Sequence, residues 1–370
     1  MSGGDVYDPD GGVIERRDLV IVDGRFAEPD GRPTDRVIDA SGHLVTPGLV
    51  DLHAHVFRGQ DLGLDPDDIG PSGGTTTIID AGSAGGHLFP AFRATTIDTS
   101  AVRVRAFVNI ASVGTTSIRL GGELKALHYS DASVAVACAR ANADVIVGVK
   151  VRASHDVGGD NAPEALRRAR AAADDLGVPL MVHLGPSPAA VDEILATLRS
   201  GDILTHAFTG WEGNTLLDGD AVRAGAREAR ERGVVFDIGH GASGFSADVA
   251  RKLLGLGFAP DTISSDLHAY SRTRVVSLPL VLSRLMALGM PLPDVLLRAT
   301  LAPARALGLD ASGIGTLRSG AAADLAIFDL AEGPQSFEDG FGRAFEGDRV
   351  LRPVATMIGG DLVEPRGVPA

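Results

Sequence analysis

The chain has 370 residues, 44% of them hydrophobic and 22% charged, and a net charge of −14. This is a folded globular composition, long enough for a barrel with an appendage, and its acidity excludes a general nucleic-acid binder, which needs a basic face. Cys138 is the single cysteine, so an intramolecular disulfide and a cysteine-rich zinc site are both excluded.

The first residues, Met-Ser-Gly-Gly-Asp-Val-Tyr-Asp, lack the basic start and apolar run of a signal peptide, and no stretch of apolar residues reaches membrane-spanning length. A protein of the reducing cytoplasm is expected. Residues 13–41 carry short alternating runs at 18–22, 25–26 and 36–39. The turn Asp23-Gly24 and a polar loop at 30–33 interrupt them. This is β-hairpin material.

From residue 44 onward, near-continuous apolar runs alternate with amphipathic stretches. The runs cover 44–55, 75–82, 102–112, 145–153, 179–185, 202–209, 234–241 and 262–268. Their richness in Val and Ile is the pattern of parallel strands covered on both faces. Helices are predicted at 161–176, 187–198, 220–232, 245–256, 276–288 and 293–307. The clearest, 161–176, has Pro163 near its start and Gly177 past its end, with Ala165, Leu166, Ala169 and Ala172 at helical spacing. Eight successive βα units predict an α/β chain with a (β/α)8 TIM barrel. Residues 315–365 return to hairpin material at 315–317, 323–329, 350–358 and 361–363, around a loop at 332–348. The simplest arrangement joins both ends into a small β-sandwich domain (1–46 and 311–370) beside a barrel of 47–310.

Five of the apolar runs close on polar side chains at the same end. His53 and His55 end the first. Residues i and i+2 of a strand share a face, so both imidazoles can enter the barrel mouth and bind one ion. Lys150 ends the fourth run, His183 the fifth, His206 the sixth and Asp266 the eighth. Barrels place their active sites at strand C-terminal ends, and buried polar groups there need partners. One such residue could be a satisfied core group; six around one rim point to a site. Arg152 faces the same way as Lys150, and suits either a substrate carboxylate or an ordinary salt bridge. His268 stands in the same relation to Asp266, and suits either a substrate contact or a partner that orients a ligand. His240, the third candidate substrate contact, sits in the glycine-rich segment 239–245. Such a loop can carry backbone N–H groups to a ligand or merely turn the chain. Tyr129, Tyr270 and Arg272 are weaker candidates, and His87 and His155 fall in loops on the same side.

This set resembles the binuclear amidohydrolase superfamily. That family carries His-x-His on strand one, lysine on strand four, histidines on strands five and six, and aspartate on strand eight. The likeness spans nearly the whole chain and includes residues 315–325, Gly-Thr-Leu-Arg-Ser-Gly-Ala-Ala-Ala-Asp-Leu, typical of its C-terminal sandwich. The resemblance implies a two-metal centre. Lys150 would take up carbon dioxide, and its carbamate oxygens would bridge the ions. A free ammonium cannot ligate a cation, whereas a carbamate can, and a buried lysine supplies the neutral amine it needs. His53, His55 and Asp266 would complete one ion, His183 and His206 the other. Imidazole and oxygen ligands favour zinc, with manganese, iron or cobalt open. A hydroxide bridging the metals would attack an ester or amide carbonyl, and Asp266, the catalytic residue, would carry its proton to the leaving group.

Within that superfamily, residues 149–154, 204–210 and 237–241 resemble a group often labelled dihydroorotase, whose characterised members are deacetylases of α-hydroxy-acid acetyl esters such as acetyl-(R)-mandelate. The resemblance implies a small substrate with an acetyl group beside a carboxylate, such as an acetylated 2-hydroxy acid or an N-acetyl amino acid. The alternative is a dihydroorotase or another cyclic-amide hydrolase. True dihydroorotases usually carry arginine two residues after the second histidine. Phe57 stands there, with arginine one place later at Arg58. Metal-free relatives that act only as assembly subunits lack ligands, and all six positions are filled here. The expected partner is a small molecule, with no nucleic acid or membrane, and the family's habit implies a homo-oligomer.

Overall fold

The computed structural model describes residues 1–29, 31 and 35–363. Seven parallel strands form one curved sheet: Leu49–Ala54, Thr75–Asp80, Arg103–Asn109, Ile146–Arg152, Leu180–His183, Ile203–Thr205 and Val235–Phe236. Each pairs with its chain neighbours in order. Helices cover the outer face, so most strand residues are buried on both sides.

The eighth run, expected as a strand over 262–268, closes the barrel without forming a continuous strand. Thr262 bridges Asp237 just past the seventh strand, and Leu267 bridges Ala54 of the first. The His55 N–H donates to the Leu267 carbonyl at 2.9 Å, and the Asp266 N–H to the His53 carbonyl at 2.6 Å. The ladder breaks because Asp266 adopts φ 50°, which takes it out of the pleat. The buried Asp51 carboxyl accepts the Ser265 N–H at 3.0 Å and the Ser265 hydroxyl. His206, at φ 62°, likewise ends the sixth strand at Thr205. The expected run 202–209 therefore shortens, and 234–241 forms a strand only at Val235–Phe236.

The first apolar run splits at Gly48. Leu44–Pro47 joins the terminal sheet, whereas Leu49–Ala54 opens the barrel. A Cβ at Gly48 would lie 2.1 Å from Thr76 Oγ1, so only glycine passes between the two layers. The helix Ala162–Leu176 follows its punctuation: Pro lies in its first turn and Gly177 takes φ 66° past its end. The expected helix 293–307 is instead two, Leu292–Leu297 and Leu301–Ala306. Pro303 has no N–H for the Ala299 carbonyl, which accepts from Val50 at 2.8 Å instead. The start of the expected helix 220–232 is a small hairpin, Leu217–Asp218 with Ala221–Val222, and the helix begins at Ala224.

Both ends of the chain meet in a six-stranded sheet. Its order is Asp361–Val363, Ala344–Ile358, Leu325–Glu338, Leu44–Pro47, Asp5–Asp8 and Val13–Arg16. Val20–Val22 pairs with Arg25–Ala27 beside it, around a small core that includes Val6, Phe26, Val45, Leu325 and Met357. Among the described residues, 36–39 contribute one bridge, Ser2 to Asp39. The expected loop at 332–348 is mostly the far end of a long hairpin, Leu325–Glu338 against Ala344–Ile358. Gly333-Pro334 reads as a breaker but sits at a shift of register between Glu332 and Gln335, where a bulge tolerates proline. The expected loop positions 30, 32 and 33, and residues 364–370, lie outside the described residues. No helix among those described is long and apolar enough to cross a membrane.

Candidate metal centre

The strand ends bring the predicted rim together. His53 Nε2 and His55 Nε2 lie 3.2 and 3.5 Å from one oxygen of Asp266. Ligating atoms of all three fall within 4.8 Å of one another. His206 Nε2 stands 4.0 Å from the other Asp266 oxygen. Its ring centroid is 5.0 Å from that of His53 and 4.3 Å from that of His183. Lys150 and His183 line the same cavity of about 480 Å³, together with His55, His206 and Asp266.

Hydrogen bonding fixes which nitrogen carries the proton in His53, His55 and His206. His53 Nδ1 lies 2.7 Å from Thr205 Oγ1, and that hydroxyl donates to Asp237 Oδ2 at 2.7 Å. A hydroxyl has one hydrogen, so Thr205 can only accept from His53. The proton sits on Nδ1 and the lone pair on Nε2. His55 repeats the device: its Nδ1 is 2.8 Å from Ser83 Oγ, which donates to Asp80 Oδ2 at 2.7 Å. His206 Nδ1 donates to the Gly239 carbonyl at 2.5 Å, leaving a buried Nε2 with no hydrogen-bond partner among the described residues. Burial holds His53 well below the usual imidazole range and His206 at about 4, so both rings are neutral. Burial works against the charge of Asp266, and with the ring protons on Nδ1 the imidazoles offer it no donor, so its anionic form needs a cation beside it. Neutral lone pairs thus face a carboxylate. Acceptors turned on one another away from water are tolerated only around a cation. The donor set fits a divalent metal.

Lys150 is fully enclosed. Among the described residues its Nζ reaches only Met181 Sδ, at 3.3 Å, and burial pushes its pKa down to about 7. A Cβ at Gly82 would lie 2.7 Å from Lys150 Cβ, so this glycine makes room for the lysine stem.

Arg152 lines the cavity, and the salt bridge expected as its other reading is also present. Its Nη1 is 3.4 Å from Glu123 Oε1 and its Nη2 4.0 Å from Asp156 Oδ2. Neither contact is a close bidentate pair, so donors remain for another anion. His268 lines the cavity, with its ring 6.0 Å from that of His55. Tyr270 and His155 also line it. His240 differs from expectation. It is fully buried, its Nδ1 lies 2.9 Å from the Gly241 carbonyl, and its ring stacks on Phe245 at 4.9 Å. Ala242, Ser243 and Gly244 form the wall in its place, because the φ of 52° at Gly241 turns the chain toward the cavity after the histidine.

Asp80, Ser83, Thr205, Asp237 and Glu123 are missed by reading the rim alone. A signal for two of them exists, since Asp80 and Asp237 close apolar runs as the six rim residues do. Burial pushes the Asp237 pKa up against the pull of its hydroxyl partners Ser264, Thr205 and Thr262.

Known proteins resemble this chain over most of its length. A deacetylase of Agrobacterium fabrum is 35% identical over 328 residues, 88% of this chain and 80% of the relative. A crystal structure of an adenine deaminase superposes with TM-score 0.89 at 32% identity, covering 98% of both chains. A crystal structure of a dihydroorotase gives TM-score 0.85 at 34% identity, covering 94% of this chain and 93% of that one. These relatives share an architecture and differ in the reaction their names give. The model of the amidohydrolase family matches residues 44–363, and the chain belongs to that family.

Proposed function

We propose that this protein is a metal-dependent deacetylase that hydrolyses a small carboxylate-bearing acetyl ester or amide, such as an acetylated 2-hydroxy acid or an N-acetyl amino acid. The observation that carries the metal reading is the convergence of His53 Nε2, His55 Nε2 and an Asp266 carboxylate oxygen on one point of the buried cavity. In this reading His53, His55 and Asp266 hold one ion, and His183 and His206 hold a second. Lys150, as the carbamate formed from carbon dioxide and its neutral amine, would supply anionic oxygen donors to them. Imidazole and oxygen donors favour zinc. When bound, such an ion pair lowers the pKa of water from about 16 to about 7 and polarises a carbonyl.

The chain's own residues do the rest. Asp266, beside the reacting atoms, accepts the proton of the attacking water and passes it to the leaving alkoxide or amine. Oxygen bonds to the acetyl carbon, the ester or amide bond breaks, and acetate leaves. Arg152 fixes the substrate carboxylate with the donors that Glu123 leaves free. His268 contacts the substrate from the same wall. The deacetylase relative supports the acetyl group as the part removed.

The test measures metal content of the purified protein, then turnover of O-acetyl hydroxy acids and N-acetyl amino acids of both hands beside dihydroorotate. Two equivalents of divalent metal and acetate release from one acetyl series are expected. Turnover of dihydroorotate alone would establish the cyclic-amide hydrolase reading, which the dihydroorotase likeness favours.

A further inference from the structure

The long hairpin of the terminal sheet does not stop at that sheet. Its tip, residues 339–343, reaches the loop after the seventh strand. Asp339 is fully buried there. Its Oδ2 accepts the Ala247 N–H at 3.1 Å, and its Oδ1 accepts the N–H groups of Phe341 at 2.8 Å and Arg343 at 3.0 Å. The Gly340 N–H donates to the Phe245 carbonyl at 2.9 Å. Arg274, just beyond the eighth run, donates through Nη1 to both the Ala242 and Gly340 carbonyls at 2.8 Å. One guanidinium therefore staples the hairpin tip to the cavity wall.

The stapled loop has no slack against the ligands. Its Gly239 carbonyl takes the His206 Nδ1 proton. A Cβ at Gly244 would lie 2.2 Å from His206 Nδ1, and one at Gly241 2.3 Å from Asp266 Oδ2. A shift of this backbone toward the cavity would therefore press on His206, Asp266 or both.

We infer that the hairpin tip is a positioning element of the metal centre, with Asp339 and Arg274 as positioning residues that fix the loop 239–247 and, through it, His206 and Asp266. The inference rests on the metal reading above. It assigns the terminal sheet a part in ion binding, through residues that touch neither ion nor substrate. Loss of a group that orients a ligand costs about tenfold to hundredfold in metal affinity.

Asp339→Ala and Arg274→Met are to be compared with the wild type by chelator competition for zinc and by the visible absorption of the cobalt-loaded protein. Each variant is expected to bind metal at least about tenfold more weakly and to alter the cobalt spectrum. Coupling is reciprocal, so removing metal from the wild type should speed hydrogen exchange at the Phe341, Gly340 and Ala247 amides. This last arm stands even where a variant fails to fold. Variants that lose thermal stability but keep wild-type affinity and spectrum would overturn the inference while leaving the metal centre intact. Tip amides whose exchange ignores the metal would overturn it equally. A wild type that binds no divalent ion would remove both readings.

Discussion

Thr205→Val tests the tautomer argument, and its cost can be located. The Thr205 hydroxyl accepts from His53 Nδ1 at 2.7 Å and donates to Asp237. Valine keeps the shape and removes the acceptor. Asp237 retains Thr262 at 2.8 Å and Ser264 at 2.6 Å, so the main loss falls on His53. In the metal-free variant the ring can move its proton to Nε2, where Asp266 Oδ1 waits 3.2 Å away, and the fold loses little. Metal binding needs the Nε2 lone pair and drives the proton back to Nδ1, now facing a methyl group. An unpaired buried donor costs about 1–3 kcal/mol, which is roughly tenfold to hundredfold in affinity. Chelator competition for zinc should therefore show that loss, while denaturant unfolding of the stripped protein shifts much less. Thr205→Ser should restore affinity. A valine variant that binds zinc as tightly as wild type would refute the relay, as would one whose metal-free fold loses as much as its metal affinity.

The remaining expectations concern other parts of the same centre. Gly244→Ala places a methyl 2.2 Å from His206 Nδ1 and 2.6 Å from the Gly239 carbonyl. It should lower zinc affinity by about tenfold or more, read by metal analysis after dialysis. Lys150 must be neutral to take up carbon dioxide, and its amine is charged below about 7 and neutral above it. Reactivation of stripped protein by zinc at fixed dissolved carbon dioxide should therefore rise with pH through about 7. A rate that is flat or falling across that window counts against the carbamate. Arg152→Met should raise KM for a carboxylate substrate by about tenfold to hundredfold, the worth of a hydrogen bond to a charged group. It should change kcat/KM little for the methyl ester of the same acid.

Legibility in the sequence follows the distance over which a contact acts. The barrel and its six rim residues can be read because strand periodicity is local. His53 and His55 share a face by spacing alone, and each rim residue ends an apolar run that could not hold it without partners. Asp80 and Asp237 end runs in the same way, but a carboxylate at a strand end has ordinary readings. What gives them a part in the site is the hydroxyls of Ser83 and Thr205, whose orientation depends on strands 28 and 152 residues from the histidines they meet. His240 shows the converse. Its glycine-rich setting is visible, yet the positive φ of Gly241 turns the next residues to the cavity and leaves the imidazole behind on Phe245.

The terminal hairpin marks where local reading ends. Gly333 and Pro334 are turn-formers by composition, so the segment around them reads as a loop. The cross-strand pairs Phe337–Phe345 and Glu338–Ala344 carry the ribbon past that point to the catalytic side of the barrel. There Asp339 meets Ala247, 92 positions away. The alternation within either strand does not specify this contact, because it depends on where the barrel holds the loop. A carboxylate that closes three backbone donors in a buried turn has a sufficient structural reason to exist. Its further role rests on a separate fact, that the backbone it holds lies against His206 and Asp266 with no room for a single added carbon. The candidate metal centre is therefore bounded by packing beyond its proposed ligands, and changes remote in sequence should register in metal affinity before they register in the fold.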